Sequence, residues 1–257
     1  MFASFSGVVI RCANSGESDR IITVLCKEYG KISVLAKGAR KTGSKFMSST
    51  SLYCYANFSV RKEEKLSFLR EAELYNSFFD LRCSLSAMAL AGYACAVCDD
   101  VVTEDEGELL LPLLLNTLYA LSCGKYDERF VKASFEITAA CICGFTPDIS
   151  GCAFCGGGFS NGGYLDVMNG AVICDGCKEK QNEEKEAQNG TASVICPLSA
   201  SAIAAIRYIV CAEPKRIFSY TLAEQDVGCF VTACEKYLLH HLERSFDSLD
   251  FYKSVKD

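Results

Sequence analysis

The chain has 257 residues, half of them hydrophobic, and a formal net charge of −6 at pH 7. So apolar a composition excludes a disordered protein and is enough for two or three compact units, since domains typically run to roughly 100–200 residues. Two strongly apolar uncharged runs, Cys83–Cys98 and Leu109–Gly124, are 16 residues each, short of the roughly 20 that a bilayer-spanning helix needs. Met1–Ser15 lacks the basic start and apolar core of a secretory signal, so a cytoplasmic location is expected.

The first eighty residues read as β-structure. Gly7–Cys12 opens it, and Ile21–Cys26 and Lys31–Ala36 are runs rich in β-branched residues, separated by the turn-like Glu28-Tyr29-Gly30. Leu52–Val60 alternates: Leu52, Cys54, Ala56, Phe58 and Val60 fall on one face, Tyr53, Tyr55, Asn57 and Ser59 on the other. With Leu66–Leu74 this makes five short strands, which fit a small barrel of the OB-fold kind.

Charge is placed unevenly along the chain. Met1–Asp80 carries 12 Lys and Arg against 8 Asp and Glu, while the remainder carries 14 against 24. Between Lys27 and Lys45 stand Lys27, Lys31, Lys37, Arg40, Lys41 and Lys45 with a single acid, Glu28. A basic cluster on one part of an acidic chain points to a nucleic acid or another anionic surface; a solvated lysine-rich loop is the plainer alternative. Gly38–Lys45 approaches a phosphate-binding P-loop, but its second glycine is followed by Ser44-Lys45 where Lys-Ser/Thr is required, and no helical period follows. Nucleotide binding is rejected there.

From Leu81 the period becomes helical. Leu81, Leu85, Met88, Cys95 and Val102 recur at helical spacing, Asp105–Gly107 breaks the run, and Leu109–Leu121 is apolar nearly all round. Arg129–Cys143 forms a further helix stopped by Gly144. Leu198–Cys211 and Ala223–Phe246 are expected to complete the same bundle, and the polar, aperiodic Lys178–Ala192 to be a mobile loop. Glu17, Asp19, Glu104, Asp105, Glu106 and Glu108 read as turn and capping residues. His240 and His241 suit a helix C-terminus.

Seventeen cysteines in a reducing compartment imply free thiols, most of them packed as small hydrophobes. Four stand apart. Cys152-x2-Cys155 and Cys174-x2-Cys177 have 18 residues between them, a spacing read as a zinc site: each pair makes a tight turn that aims two thiolates at one point. Four protein ligands close the coordination sphere, so one Zn2+ here would be structural. Free thiols and a redox pair are the alternatives.

Gly16-Glu17-Ser18-Asp19, Glu28-Tyr29-Gly30, Ala36-Lys37-Gly38-Ala39-Arg40-Lys41, Gly144-Phe145-Thr146-Pro147-Asp148 and His240-His241-Leu242 resemble, in order and spacing, the bacterial RecO family of recombination mediators. The resemblance implies a nucleoid-associated protein without enzymatic turnover. Such a protein binds single- and double-stranded DNA, anneals complementary strands, works with RecR, and helps RecA replace single-stranded-DNA-binding protein. Carried over by position, the DNA-contacting residues are Lys37, Arg40 and Lys41, with Lys45 beyond and Arg11 and Arg20 on flanking strands; a flexible basic loop of this kind suits phosphates and not base edges.

The architecture expected is α+β: an OB-fold barrel over residues 1–79, a helical domain from 80–148 and 194–257, and an inserted four-cysteine zinc module with its loop at 149–193. The alternative function is a zinc-dependent or thiol enzyme with an unidentified small-molecule pocket.

Overall fold

The structure, a computed structural model, describes residues 2–63, 66–103, 106–179 and 194–256. The expected loop Lys178–Ala192 lies outside the described residues beyond Glu179, as do Glu104 and Asp105. Strands β1 (Phe2–Ser15), β2 (Asp19–Cys26), β3 (Gly30–Ala36), β4 (Tyr55–Arg61) and β5 (Ser67–Asn76) precede helices α1 (Leu85–Val101), α2 (Gly107–Cys123) and α3 (Glu128–Ile142). Short strands β6 (Gly163–Asp166), β7 (Ala171–Ile173) and β8 (Ile195–Leu198) lead to α4 (Ala200–Cys211), α5 (Glu224–Leu242) and α6 (Asp247–Val255). Contacts divide the chain into two compact units, Met1–Lys125 with Phe246–Asp257, and Tyr126–Ser245.

In the first unit the five leading strands close into a barrel in the order β1-β2-β3-β5-β4. Every pairing is antiparallel except β3 with β5, which is the arrangement of an OB-fold. Alternation selects the filling: Phe5, Ile22, Val24, Ile32, Val34, Phe58, Val60 and Leu69 form the core. β1 pairs first with β4 and then with β2, and a register shift between Val9 and Arg11 bends it from one partner to the other.

β4 begins later than the alternation suggests. Tyr53 adopts a left-handed conformation, φ 70°, which interrupts the extended run. Its ring is buried and its hydroxyl donates to the Met88 carbonyl oxygen of α1 at 3.1 Å. Tyr53 and Tyr55 therefore share no exposed face, and Tyr55 instead meets Tyr75 edge-on at 5.3 Å.

α1 starts where the Ser84 hydroxyl accepts the Ala87 N–H, satisfying one of the first-turn donors. α2 starts on the barrel itself. A Cβ at Gly107 would lie 2.4 Å from the Cys26 carbonyl oxygen and 2.8 Å from Gly30 Cα, so glycine is what permits the approach. α6 packs on α1, with Phe246 edge-on to the buried Tyr93.

The second unit holds α3, α4 and α5 with the sheet β7-β6-β8. α3 and α5 pack together around Lys132, which is 1% exposed and meets Glu136 at 2.7 Å and Glu235 at 2.8 Å. Burial alone would lower the lysine pKa, and the two carboxylates outweigh it and raise it. Removing one member of such a group costs far more than breaking an exposed ion pair, because charge is left unpaired out of water. α5 ends at Leu242 because Glu243 turns left-handed, φ 52°; Phe246 thus belongs to the start of α6. The helices expected to form one bundle are therefore divided by their contacts, α1, α2 and α6 with the barrel, α3 to α5 with the small sheet. Among the described residues no helix is long and apolar enough to cross a membrane.

Candidate nucleic-acid interface and metal centre

Residues 37–54 connect β3 to β4 and carry the basic cluster. The Gly38 N–H donates to Asp19 Oδ1 at 2.8 Å, and the Arg40 N–H to the Ser18 carbonyl oxygen at 2.9 Å, so the segment is tied to the β1–β2 turn. Ala39 and Phe46 insert into the barrel core. The Thr50 hydroxyl donates to the Phe46 carbonyl oxygen at 2.6 Å, and Arg20 Nη1 donates to Thr50 O and Oγ1 at 3.2 Å. The loop expected to be flexible is tied down by two apolar anchors and a series of turns, with its charged side chains and Met47 exposed. No helix follows Gly38–Lys45 within the loop, so the near-P-loop sequence has no P-loop geometry.

Lys37, Arg40, Lys41 and Lys45 are exposed along this segment. Arg40 also has a structural role, since its Nη1 donates to the carbonyl oxygens of Gly16 and Glu17 at 3.3 and 3.2 Å. Arg20 is half-buried and braces the loop from beneath. Arg11 lies on the strand face and pairs with Asp99 at 3.1 Å.

The outer face of the sheet extends the cluster. Cross-strand pairing places Arg11 beside Thr23 and Thr23 beside Ser33. The next outward row sets Ile21 beside Leu35, Leu35 beside Phe68, and Phe68 beside Arg61. The Phe68 ring has the Lys37 ammonium 5.4 Å and the Arg61 guanidinium 5.0 Å from its centroid. An aromatic ring between two cations thus joins the basic loop to the strand face. Sequence reading passed over Phe68 and Arg61, although alternation in Leu66–Leu74 puts Phe68 on the face opposite the core residue Leu69.

In the second unit two turns bring four thiols together. The Asp148 N–H donates to Gly170 O at 2.6 Å and Val172 N–H to Asp148 O at 3.2 Å, fixing the approach to Cys152. Cys152 N–H then donates to Gly157 O, Gly156 N–H to Cys152 O, and Ala153 N–H to Val172 O, all within 2.8–2.9 Å. The sulfurs of Cys152, Cys155, Cys174 and Cys177 lie within 4.8 Å of one another. Cys155 Sγ and Cys174 Sγ are 3.8 Å apart; a tetrahedron with Zn–S bonds of about 2.3 Å has edges of about 3.8 Å. The donor set and its spacing therefore fit a closed tetrahedral metal ion. Burial pushes the Cys152 thiol up, but backbone N–H groups of Cys174, Cys155 and Phe154 more than offset it and bring its pKa to about 6. Hydrogen bonds with Cys174 and Cys155 push Cys177 up to about 12.

Two of the motifs quoted above meet elsewhere in this unit. The His241 ring stacks on Phe145 at 4.7 Å, and the Tyr237 hydroxyl donates to the Phe145 carbonyl oxygen at 3.3 Å. Burial, with His240 adding to it, lowers the His241 pKa.

The family described as Recombination protein O matches this chain twice, its N-terminal part over residues 1–78 and its C-terminal part over residues 82–250. The chain belongs to the RecO family. The DNA repair protein RecO of Acetivibrio thermocellus is 31% identical over 251 residues, covering 97% of this chain and 96% of that protein. Those of Caldicellulosiruptor saccharolyticus and Symbiobacterium thermophilum are 26% and 27% identical, each over at least 96% of both chains. The RecO N-terminal match ends two residues after β5, so it coincides with the barrel. The RecO C-terminal match takes in α1 to α5 and the four cysteines together.

Proposed function

We propose that this chain is a non-enzymatic DNA-binding mediator of recombination and repair. It anneals complementary strands and, with RecR, helps load RecA onto DNA covered by single-stranded-DNA-binding protein. The observation that carries this reading is the basic and aromatic surface of the barrel, from Lys45, Lys41 and Lys37 through Phe68 to Arg61. Such a surface attracts a polyanion without reading base edges, and the half-buried Phe68 ring offers a base a partial platform for stacking. The partners are assigned from the family resemblance. In this reading residues 1–79 hold DNA, the four cysteines hold one structural Zn2+, and the protein acts in the cytoplasm with the nucleoid.

Mechanistically, two strands repel each other through their phosphates. Lysines that neutralise both lower that barrier, and no bond is made or broken. Annealing of complementary oligonucleotides by the purified chain is therefore expected to run at full rate without ATP, and to slow as salt displaces the phosphates. A fluorescence-quenching annealing assay with and without nucleotide tests this; a strict ATP requirement would refute it.

A further inference from the structure

Arg11 and Lys31 converge on one carboxylate. Asp99, in the last turn of α1, accepts from Arg11 Nη1 at 3.1 Å and from Lys31 Nζ at 3.2 Å, and Lys31 also donates to the Asp99 carbonyl oxygen. These three residues line an open depression of about 450 Å3 together with Thr23, Tyr29 and Ser33. On its other wall the Lys62 ammonium stands 4.0 Å from the centroid of the Tyr29 ring. The remaining acid of the lining, Glu63, is paired with Arg61 at 2.8 Å.

Exposure is distributed unequally in this group. The Arg11 and Lys31 side chains are 70% and 42% exposed, and that of Asp99 only 19%. Arg11 spends a single donor on Asp99 and Lys31 two of its three, while the carboxylate is the least exposed of the group. An exposed pair of this kind contributes little to stability, whereas a phosphate can take two guanidinium donors at once in stronger, charge-assisted bonds. A phosphate arriving from solvent can therefore replace the carboxylate at small cost.

We infer that this depression is a phosphodiester-binding site for single-stranded nucleic acid, in which a backbone phosphate takes Arg11 and Lys31 from Asp99. Asp99 is then an internal competitor that holds the cations in place and weakens strand binding. The inference rests on the DNA-binding reading above and adds a second anchor, separate from the basic loop. A strand is favoured over a free phosphate or an acidic peptide because the row Ile21, Leu35 and Phe68 adjoins the depression and leads to Lys37. That strip offers bases an apolar and aromatic bed.

The test is the affinity of the full-length chain for a labelled oligothymidylate, by fluorescence anisotropy at fixed salt, for Asp99→Asn and for Glu73→Gln on β5. Both substitutions remove one negative charge from the first unit. Asp99→Asn is expected to tighten binding on the order of 5-fold, the value of one more fully available phosphate contact near 0.1 M salt, and Glu73→Gln to change it less than about half as much. Adding Arg11→Met to Asp99→Asn should abolish the gain. Unchanged or weaker binding by folded Asp99→Asn overturns the inference. If circular dichroism shows that variant unfolded, the Arg11 side-chain 15N resonance of the wild-type chain decides: it must shift on saturation with the oligonucleotide. An equal shift with inorganic phosphate or polyglutamate at matched charge concentration overturns the strand assignment. A wild-type chain that binds strands while Asp99 and Arg11 stay silent defeats this inference alone; failure of the wild-type chain to bind any strand defeats both readings.

Discussion

Replacing Cys152 by serine is expected to release the metal and to loosen the second unit while leaving DNA binding intact. Cys152 is the buried member of the four and the one that accepts the Cys174 N–H at 3.3 Å, so it links the two turns as well as offering a ligand. A serine hydroxyl stays protonated where the thiolate was, and three sulfurs cannot close a tetrahedron. Loss of a partner one shell further out already weakens metal binding roughly 10–100-fold, and loss of a ligand must exceed that. Because the metal stabilises only the folded arrangement of the turns, its binding energy is also folding energy. Elemental analysis should find one zinc per wild-type chain and a substoichiometric amount in Cys152→Ser after dialysis against a chelator, with a lower unfolding temperature. Each ligand must lose a proton to bind, so acid should release zinc from the wild-type chain as well. Full zinc retention by Cys152→Ser, or none in freshly purified wild-type protein, would refute the assignment. DNA affinity should persist because the barrel and its basic loop belong to the other unit.

The triple reversal Lys37→Glu, Lys41→Glu and Lys45→Glu should weaken single-strand binding by at least about 100-fold near 0.1 M salt and flatten its salt dependence. Each lost phosphate contact removes about 0.7 from the log–log slope for single strands, so three remove about 2. The choice of residues follows from the geometry. Arg40 donates to two carbonyl oxygens of the β1–β2 turn and Arg20 braces Thr50, so reversing either disturbs the loop as well as its charge. The three lysines project from a backbone held by Ala39 and Phe46, and their known contacts are with the rings of Phe68 and Phe46. Anisotropy titrations at several salt concentrations give both quantities. An unchanged slope would move the DNA site off this loop.

The five strands, most of the helices and the four-cysteine cluster were legible in the linear chain because each rests on a local repeat. Alternation of period two in Phe58 and Val60 marks a strand wherever it packs, and two C-x2-C turns aim their sulfurs together by short-range geometry. The cluster from Lys37 to Lys45 was visible as charge. Its anchoring was not, because Phe46 could be seen as a core residue only once the barrel interior existed to receive it. Tyr53 illustrates the same limit: alternation put it on one face with Tyr55, and a left-handed backbone turned it under α1.

What the sequence by itself determined was the kind of elements, their order, the sign of charge on the barrel and the two cysteine turns whose four thiols cluster, all properties of residues close together along the chain. Tertiary structure alone decided that Phe68 lies between Lys37 and Arg61, that Asp99 reaches Arg11 across 88 positions, and which helices pack with the barrel. These depend on strand register and helix docking, and both are set by burial summed over the whole core, which no local window contains.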